Sequence, residues 1–139
     1  MPSIIKNMKR LEHVGIAVKD MAAATEIYTA LFGKPEYKTE EVASEQVKTA
    51  FYQTGEAKIE LLEATGPDSA IAKFIEKRGE GLHHIAFEVD DIEAEMQRLI
   101  EQGFRVLNEQ PKRGADNKLV CFLHPKSANG VLVELCQSL

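Results

Sequence analysis

One short phrase is written twice in this chain. Residues 11–21 read LEHVGIAVKDM, residues 82–92 read LHHIAFEVDDI, and with His13 set beneath His84 the apolar positions coincide. Leu11 meets Leu82, Val14 meets Ile85, Ile16 meets Phe87, Val18 meets Val89 and Asp20 meets Asp91. A duplicated stretch has to fold the same way twice, so it constrains the architecture more tightly than composition does. In each copy the apolar side chains alternate, which predicts a strand with one oily face and one small, polar face. Each strand ends at an aspartate suited to cap a helix.

The rest of each half follows suit. After Asp20 the spacing predicts a helix through MAAATEIYTALF, stopped by Gly33. Extended stretches follow near 36–41, 47–54 and 57–64, the last two joined by a Gly-Glu turn. Asp91 caps IEAEMQRLIEQ, which Gly103 ends, and the extended stretches FRVLN, KLVCFLH and VLVELCQ follow, with a turn around SANG before the last. Between the halves GPDSAIAKFIEKRGEG is a linking helix, with Asp68 or Ser69 as its cap and Ile71, Phe74 and Ile75 on one side. Strand–helix–strand–strand–strand cannot cover its own sheet. Two such units predict an α+β fold of tandem βαβββ modules, forming one cupped eight-stranded mixed sheet with the helices outside. The expected organisation is a single domain over 1–139: module one about 9–65, a linking helix about 67–79 and module two about 80–138. A doubly wound parallel sheet is disfavoured, because no Gly-rich phosphate loop follows a strand.

Composition narrows the function classes. The 139 residues suffice for one core, and 44% hydrophobic with 28% charged residues is globular. A net charge of −5, scattered basic residues and no Trp disfavour nucleic acid as a partner. No apolar run could span a membrane, and MPSIIKNMKR is too short for a leader. Cys121 and Cys136 sit in apolar runs without CxxC spacing, as expected of buried thiols in a reduced, cytoplasmic protein.

Four polar residues interrupt strands that otherwise suit a core. His13 and His84 recur in the phrase, and Glu60 in IEL and Glu134 in VEL recur in the last strand of each half. Alternation puts each carboxylate on the face expected to carry the histidines. Two imidazoles and two carboxylates converging from four strands are a ligand set for zinc, cobalt, nickel, manganese or ferrous iron. A lone His13 would be an ordinary hydrogen-bonded histidine, and a lone Glu60 the solvent side of an edge strand. Recurrence of all four at matched places favours the metal. His83 alternates to the opposite face and is expected to pack there; its counterpart is Glu12. His124 ends a strand at a rim, where it either touches substrate or serves the turn.

LEHVGIAVKD, GEGLHHIAFEVDDI and FLHPKSANGVLVELCQ carry a family likeness. From about Leu11 to Gln137 the chain resembles the vicinal oxygen chelate superfamily and, within it, the methylmalonyl-CoA epimerases. The resemblance implies inversion at carbon 2 of methylmalonyl-CoA, an acyl-CoA partner, a homodimer, and a divalent metal, cobalt first, on His13, Glu60, His84 and Glu134. It also implies Glu134 as a base. The second base of some relatives, a glutamate, aligns with Thr49, and no acid lies from Val47 to Thr54. Glu60 is therefore the substitute, with Lys48 a weaker candidate. Thr49, Lys126, Arg113 and His124 are candidate substrate contacts, with the PKRG stretch offering cations to coenzyme A phosphates or a substrate carboxylate. Glyoxalase I shares the ligand pattern and is the rival enzyme. An extradiol dioxygenase would want two His and one Glu, and a ligand-sequestering module would need no metal ligands.

Overall fold

The computed structural model describes residues 8–139. The segment MPSIIKN, part of the stretch discussed as a leader, lies outside the described residues. No helix among the described residues is long and apolar enough to cross a membrane. The eight strands are β1 (Met8–Ala17), β2 (Lys38–Val42), β3 (Val47–Thr54), β4 (Ala57–Ala64), β5 (Gly81–Val89), β6 (Lys112–Gly114), β7 (Lys118–Leu123) and β8 (Val133–Ser138). The helices are α1 (Met21–Phe32), α2 (Ala70–Arg78) and α3 (Ile92–Glu101). The strand order is β2-β3-β4-β1-β5-β8-β7-β6, a mixed eight-stranded sheet as the duplicated pattern predicted.

The described residues form two compact units: His13–His83, and the residues up to Glu12 together with His84–Leu139. β1 is divided between them, its first half in one unit and its second half in the other. In the His13–His83 unit, β1 pairs parallel with β4, and β2, β3 and β4 form an antiparallel run. In the other, β5 pairs parallel with β8, and β6, β7 and β8 are antiparallel.

Local chemistry explains why both copies start a helix where they do. The Asp20 carboxylate accepts from the Ala22 and Ala23 N–H groups, and the Asp91 carboxylate from Ala94 N–H. Each relieves helix N–H groups that have no intrahelical partner. The repeat reaches further than its quoted phrase. Glu63 on β4 accepts from Met21 N–H at 2.9 Å, and Gln137 on β8 accepts from Ile92 N–H at 2.8 Å, so each last strand pins the first residue of its helix. Gly33 closes α1 at φ 73°, a backbone conformation that glycine adopts without a Cβ clash.

Each helix buries one apolar stripe against one sheet face. Met21 and Ala24 of α1, with Tyr28 and Phe32, pack on Val18, Ala50, Tyr52 and Leu61. Ile92, Met96 and Leu99 of α3 pack on Val89, Cys121, Leu123 and Leu135. Ile71, Phe74 and Ile75 of α2 pack instead with Ala17, Val47 and Leu62, on the opposite face of their sheet from α1. Fully burying one side chain of the Leu or Ile type contributes about 1.5–3 kcal/mol, so these stripes, not helix propensity, hold the helices in place.

One element differs from expectation. FRVLN is not a strand: Val106 makes a single bridge to Leu123, and the fourth strand of the second half is β6, in the charged PKRG stretch. The FRVLN loop is fixed beside β7 by Leu107 N–H to Phe122 O, His124 N–H to Arg105 O and Phe122 N–H to the Asn108 side chain. Asn108 takes up a donor that a continuous ladder would have used, so pairing lapses there and resumes at Lys112. The linking helix is capped by Ser69, whose hydroxyl accepts from Ile71 N–H at 3.1 Å.

Candidate metal and acid–base site

Within the His13–His83 unit, β1 and β4 run side by side with Gly15 beside Glu60 and Ala17 beside Leu62. His13 and Glu60 lie on the face away from α1, and His13 Nε2 stands 3.1 Å from Glu60 Oε1. In the other unit Ala86 lies beside Glu134, and His84 Nε2 stands 3.1 Å from Glu134 Oε1. The four residues are 6%, 5%, 5% and 6% exposed in the order His13, Glu60, His84, Glu134.

The neighbours of the two carboxylates are matched as well. Glu60 has Gly15 on one side and Phe51 on the other; Glu134 has Ala86 and Phe122. The small residue gives the carboxylate room to lean towards its histidine. The phenylalanine walls off water, and the His84 ring meets Phe122 edge to face with centroids 6.0 Å apart. A buried carboxylate is costly unless it is paired or coordinates a cation.

The donor set fits a divalent metal. Two ligand atoms each about 2.1 Å from one ion and about 90° apart lie roughly 3.0 Å from each other, close to the separation found in both pairs. A plain hydrogen bond has the same length. Against that reading stands the identical construction in both halves, each with imidazole and carboxylate removed from solvent.

The structure also places a group that the sequence reading passed over. Glu40 of β2 is paired with Thr49, which is paired with Leu62, so Glu40 lies on the same face as Glu60. It is two strands across and one pair along, about 12 Å between Cα atoms at ordinary sheet spacings. Its side chain is 31% exposed and pairs with Lys38 Nζ at 3.4 Å. The pattern over 36–41 predicts an extended stretch. Carrying the 47–54 strand back across its short turn would have set Glu40 opposite Thr49.

The remaining candidates are dispersed. Thr49 is buried, and its hydroxyl donates to the Glu40 carbonyl oxygen at 3.0 Å. Lys48 is exposed and points to the other face of β3. His124 Nδ1 accepts from Lys126 N–H at 3.0 Å, capping the 3-10 turn Pro125–Ala128. The Lys126 and Arg113 side chains are exposed. His83 meets Phe74 edge to face at 4.9 Å between centroids, the packing role expected of it.

The model of the Glyoxalase/Bleomycin resistance protein/Dioxygenase superfamily matches residues 12–122, and the chain belongs to that superfamily. Within it the chain falls with the methylmalonyl-CoA epimerases. It is 46% identical over 130 residues to the ethylmalonyl-CoA/methylmalonyl-CoA epimerase of Cereibacter sphaeroides, covering 92% of this chain and 97% of that one. It is 42% identical over 133 residues to human mitochondrial methylmalonyl-CoA epimerase, covering 95% of this chain and 76% of the human one. A Streptomyces coelicolor methylmalonyl-CoA epimerase variant, solved with 2-nitronate-propionyl-CoA, superposes with a TM-score of 0.89 at 39% identity, covering 94% of this chain and 98% of that one.

Proposed function

We propose that this protein is a metal-dependent epimerase that interconverts the two configurations at carbon 2 of methylmalonyl-CoA through an enolate. The observation that carries the reading is the buried His–Glu pair, at 3.1 Å, built identically in both halves. Relatives named as methylmalonyl-CoA epimerases at about this level of identity support it. His13, Glu60, His84 and Glu134 would hold one divalent cation, with cobalt first and manganese, nickel or zinc as substitutes. Such a cation supplies Lewis-acid charge for the negative charge that develops when a proton leaves the carbon next to a thioester.

The protein's own part is proton handling. Inversion needs a proton taken from one side of a flat intermediate and returned from the other, by two groups with separated positions. Glu134 takes one side. We assign the other to Glu40, leaving Glu60 to ligation: Glu40 is partly exposed and can exchange its proton with solvent. Phe51 and Phe122 keep water from the carboxylates beside them, which strengthens every charge interaction there.

The test is to incubate the purified protein with methylmalonyl-CoA in deuterated water and follow loss of the carbon-2 proton by NMR, before and after chelation and with cobalt restored. Exchange above the spontaneous rate that falls on chelation and returns with cobalt is the expected result. No exchange in protein shown to contain metal overturns the reading, and turnover of the glutathione–methylglyoxal adduct would then put glyoxalase chemistry in its place.

A further inference from the structure

The two halves match at their His–Glu pairs and differ in what covers the phenylalanine beside each carboxylate. Phe51 is the cross-strand partner of Glu60 and Phe122 that of Glu134, so each ring shares a face with its carboxylate. The chain beyond each ring is matched too. Tyr37 N–H donates to the Phe51 carbonyl oxygen at 2.9 Å, and Leu107 N–H to that of Phe122 at 2.8 Å. The side chains at these two matched places are unlike. The Tyr37 ring lies against Phe51, centroids 6.0 Å apart, and Phe51 is buried. Leu107 is exposed, and Phe122 stays partly exposed.

Phe122 is backed by close packing. Ala86, Val120 and Cys136 are buried against it, and the His84 ring meets it edge to face at 6.0 Å. Its Cβ and that of Glu134 lie about 5 Å apart, as in any directly opposed pair. Inversion at carbon 2 swaps the proton and the alkyl group between the two sides of the flat intermediate. In one epimer the proton points to Glu134; in the other the alkyl group does, and turnover in either direction passes through both. Proton transfer holds carbon 2 about 3 Å from the carboxylate, and a bond to the alkyl group adds about 1.5 Å. An alkyl group on that side therefore grows, carbon by carbon, into contact with the ring beside Glu134.

We infer that Phe122 is a specificity-determining residue, the wall that meets the alkyl group on carbon 2 and limits its length. The inference rests on the proposed epimerase reading. It concerns the one substituent of carbon 2 that neither leaves as a proton nor carries an oxygen, so the ligand and acid–base roles given above are untouched. A ring packed from behind cannot give way, and each methylene pushed against it is penalised. Phe51 meets the same face in its own half, but its ring is already covered by Tyr37.

The experiment measures kcat/KM for deuterium exchange at carbon 2 with methylmalonyl-CoA and with propylmalonyl-CoA. Wild type is compared with Phe122→Leu, Phe122→Tyr and Phe51→Leu, each checked for folding by circular dichroism. The readout is the propyl-to-methyl ratio, which partial unfolding or metal loss does not move because both substrates lose alike. Wild type is expected to favour methylmalonyl-CoA by at least about tenfold, and Phe122→Leu to raise the ratio by about ten- to hundredfold. Phe122→Tyr should hold the ratio at or below the wild-type one, and Phe51→Leu should keep it, whatever either does to the rate. If Phe122→Leu does not fold, Phe122→Met takes its place with the same expectation. Equal handling of both thioesters by wild type overturns the wall while the epimerase reading stands. So does a ratio unmoved by trimming Phe122, or moved as far by trimming Phe51. Absence of exchange with either thioester in metal-loaded wild type overturns both.

Discussion

Glu40 and Thr49 face each other across the β2–β3 ladder, and the Thr49 hydroxyl donates to the Glu40 carbonyl oxygen at 3.0 Å. This bond fixes the backbone from which the Glu40 carboxylate projects. Glu40→Gln removes the proposed proton-handling group and leaves the ladder intact. Its exchange rate at carbon 2 should fall by about 10²–10⁴, the usual contribution of a positioned acid or base, with metal content unchanged. Metal analysis beside the NMR exchange assay checks both halves of the statement. A rate within a fewfold of wild type would remove Glu40 from the mechanism.

Glu60→Gln and Glu134→Gln should behave differently from each other. An amide can still ligate through its oxygen, so Glu60→Gln is expected to retain cobalt and much of the exchange. Glu134→Gln should lose exchange by at least about 10² even where cobalt is retained, because the amide cannot take a proton. Cobalt titration followed by visible absorption, with exchange measured on the same samples, separates the two. Equal loss in both variants would mean that the carboxylates share one role.

Tyr52 lies on the α1 face of β3, away from the histidines. Its hydroxyl donates to the Thr25 carbonyl oxygen at 3.0 Å and contacts the Thr29 hydroxyl at 2.9 Å, with the side chain fully buried. Tyr52→Phe should lower stability by about 1–2 kcal/mol. KM and kcat should stay at wild-type values. Urea denaturation with parallel kinetics is the measurement.

Burial, and after it the charge of Glu134, pushes the Cys121 thiol up to about 12 from 9.0. The folded protein thus holds this proton more tightly than the unfolded chain does. The stability this contributes is fully present below about pH 9 and drains away as pH rises towards 12. Urea midpoints should therefore fall from pH 8.5 to pH 11, and Cys121→Ala should flatten that decline even though its own midpoint is lower. Native protein at pH 8 should resist iodoacetamide at Cys121, by mass spectrometry, until denaturant is added.

Legibility followed the kind of signal involved. Repetition and alternation, which report burial, gave β3, β4, the helix caps at Asp20, Ser69 and Asp91, and both His–Glu pairs. The Lys112–Gly114 strand is short, charged and at an edge, so no apolar alternation announces it; its pairing with β7 alone makes it a strand. FRVLN carries the apolar residues of a strand, but they reach a helix-lined core from a loop: Phe104 and Val106 pack against the cluster around Leu99. Glu40 was hidden for a related reason. Its place on the face of Glu60 comes from cross-strand register, which a single stretch of sequence does not express.

β1 has a further consequence. Its first residues are counted with one half of the molecule and its last residues with the other. One continuous strand thus supplies residues to both units. Glu12 and His13 are consecutive residues of that one strand, so a substitution that breaks its pairing there reaches the last residue of one unit's stretch and the first of the other's at once.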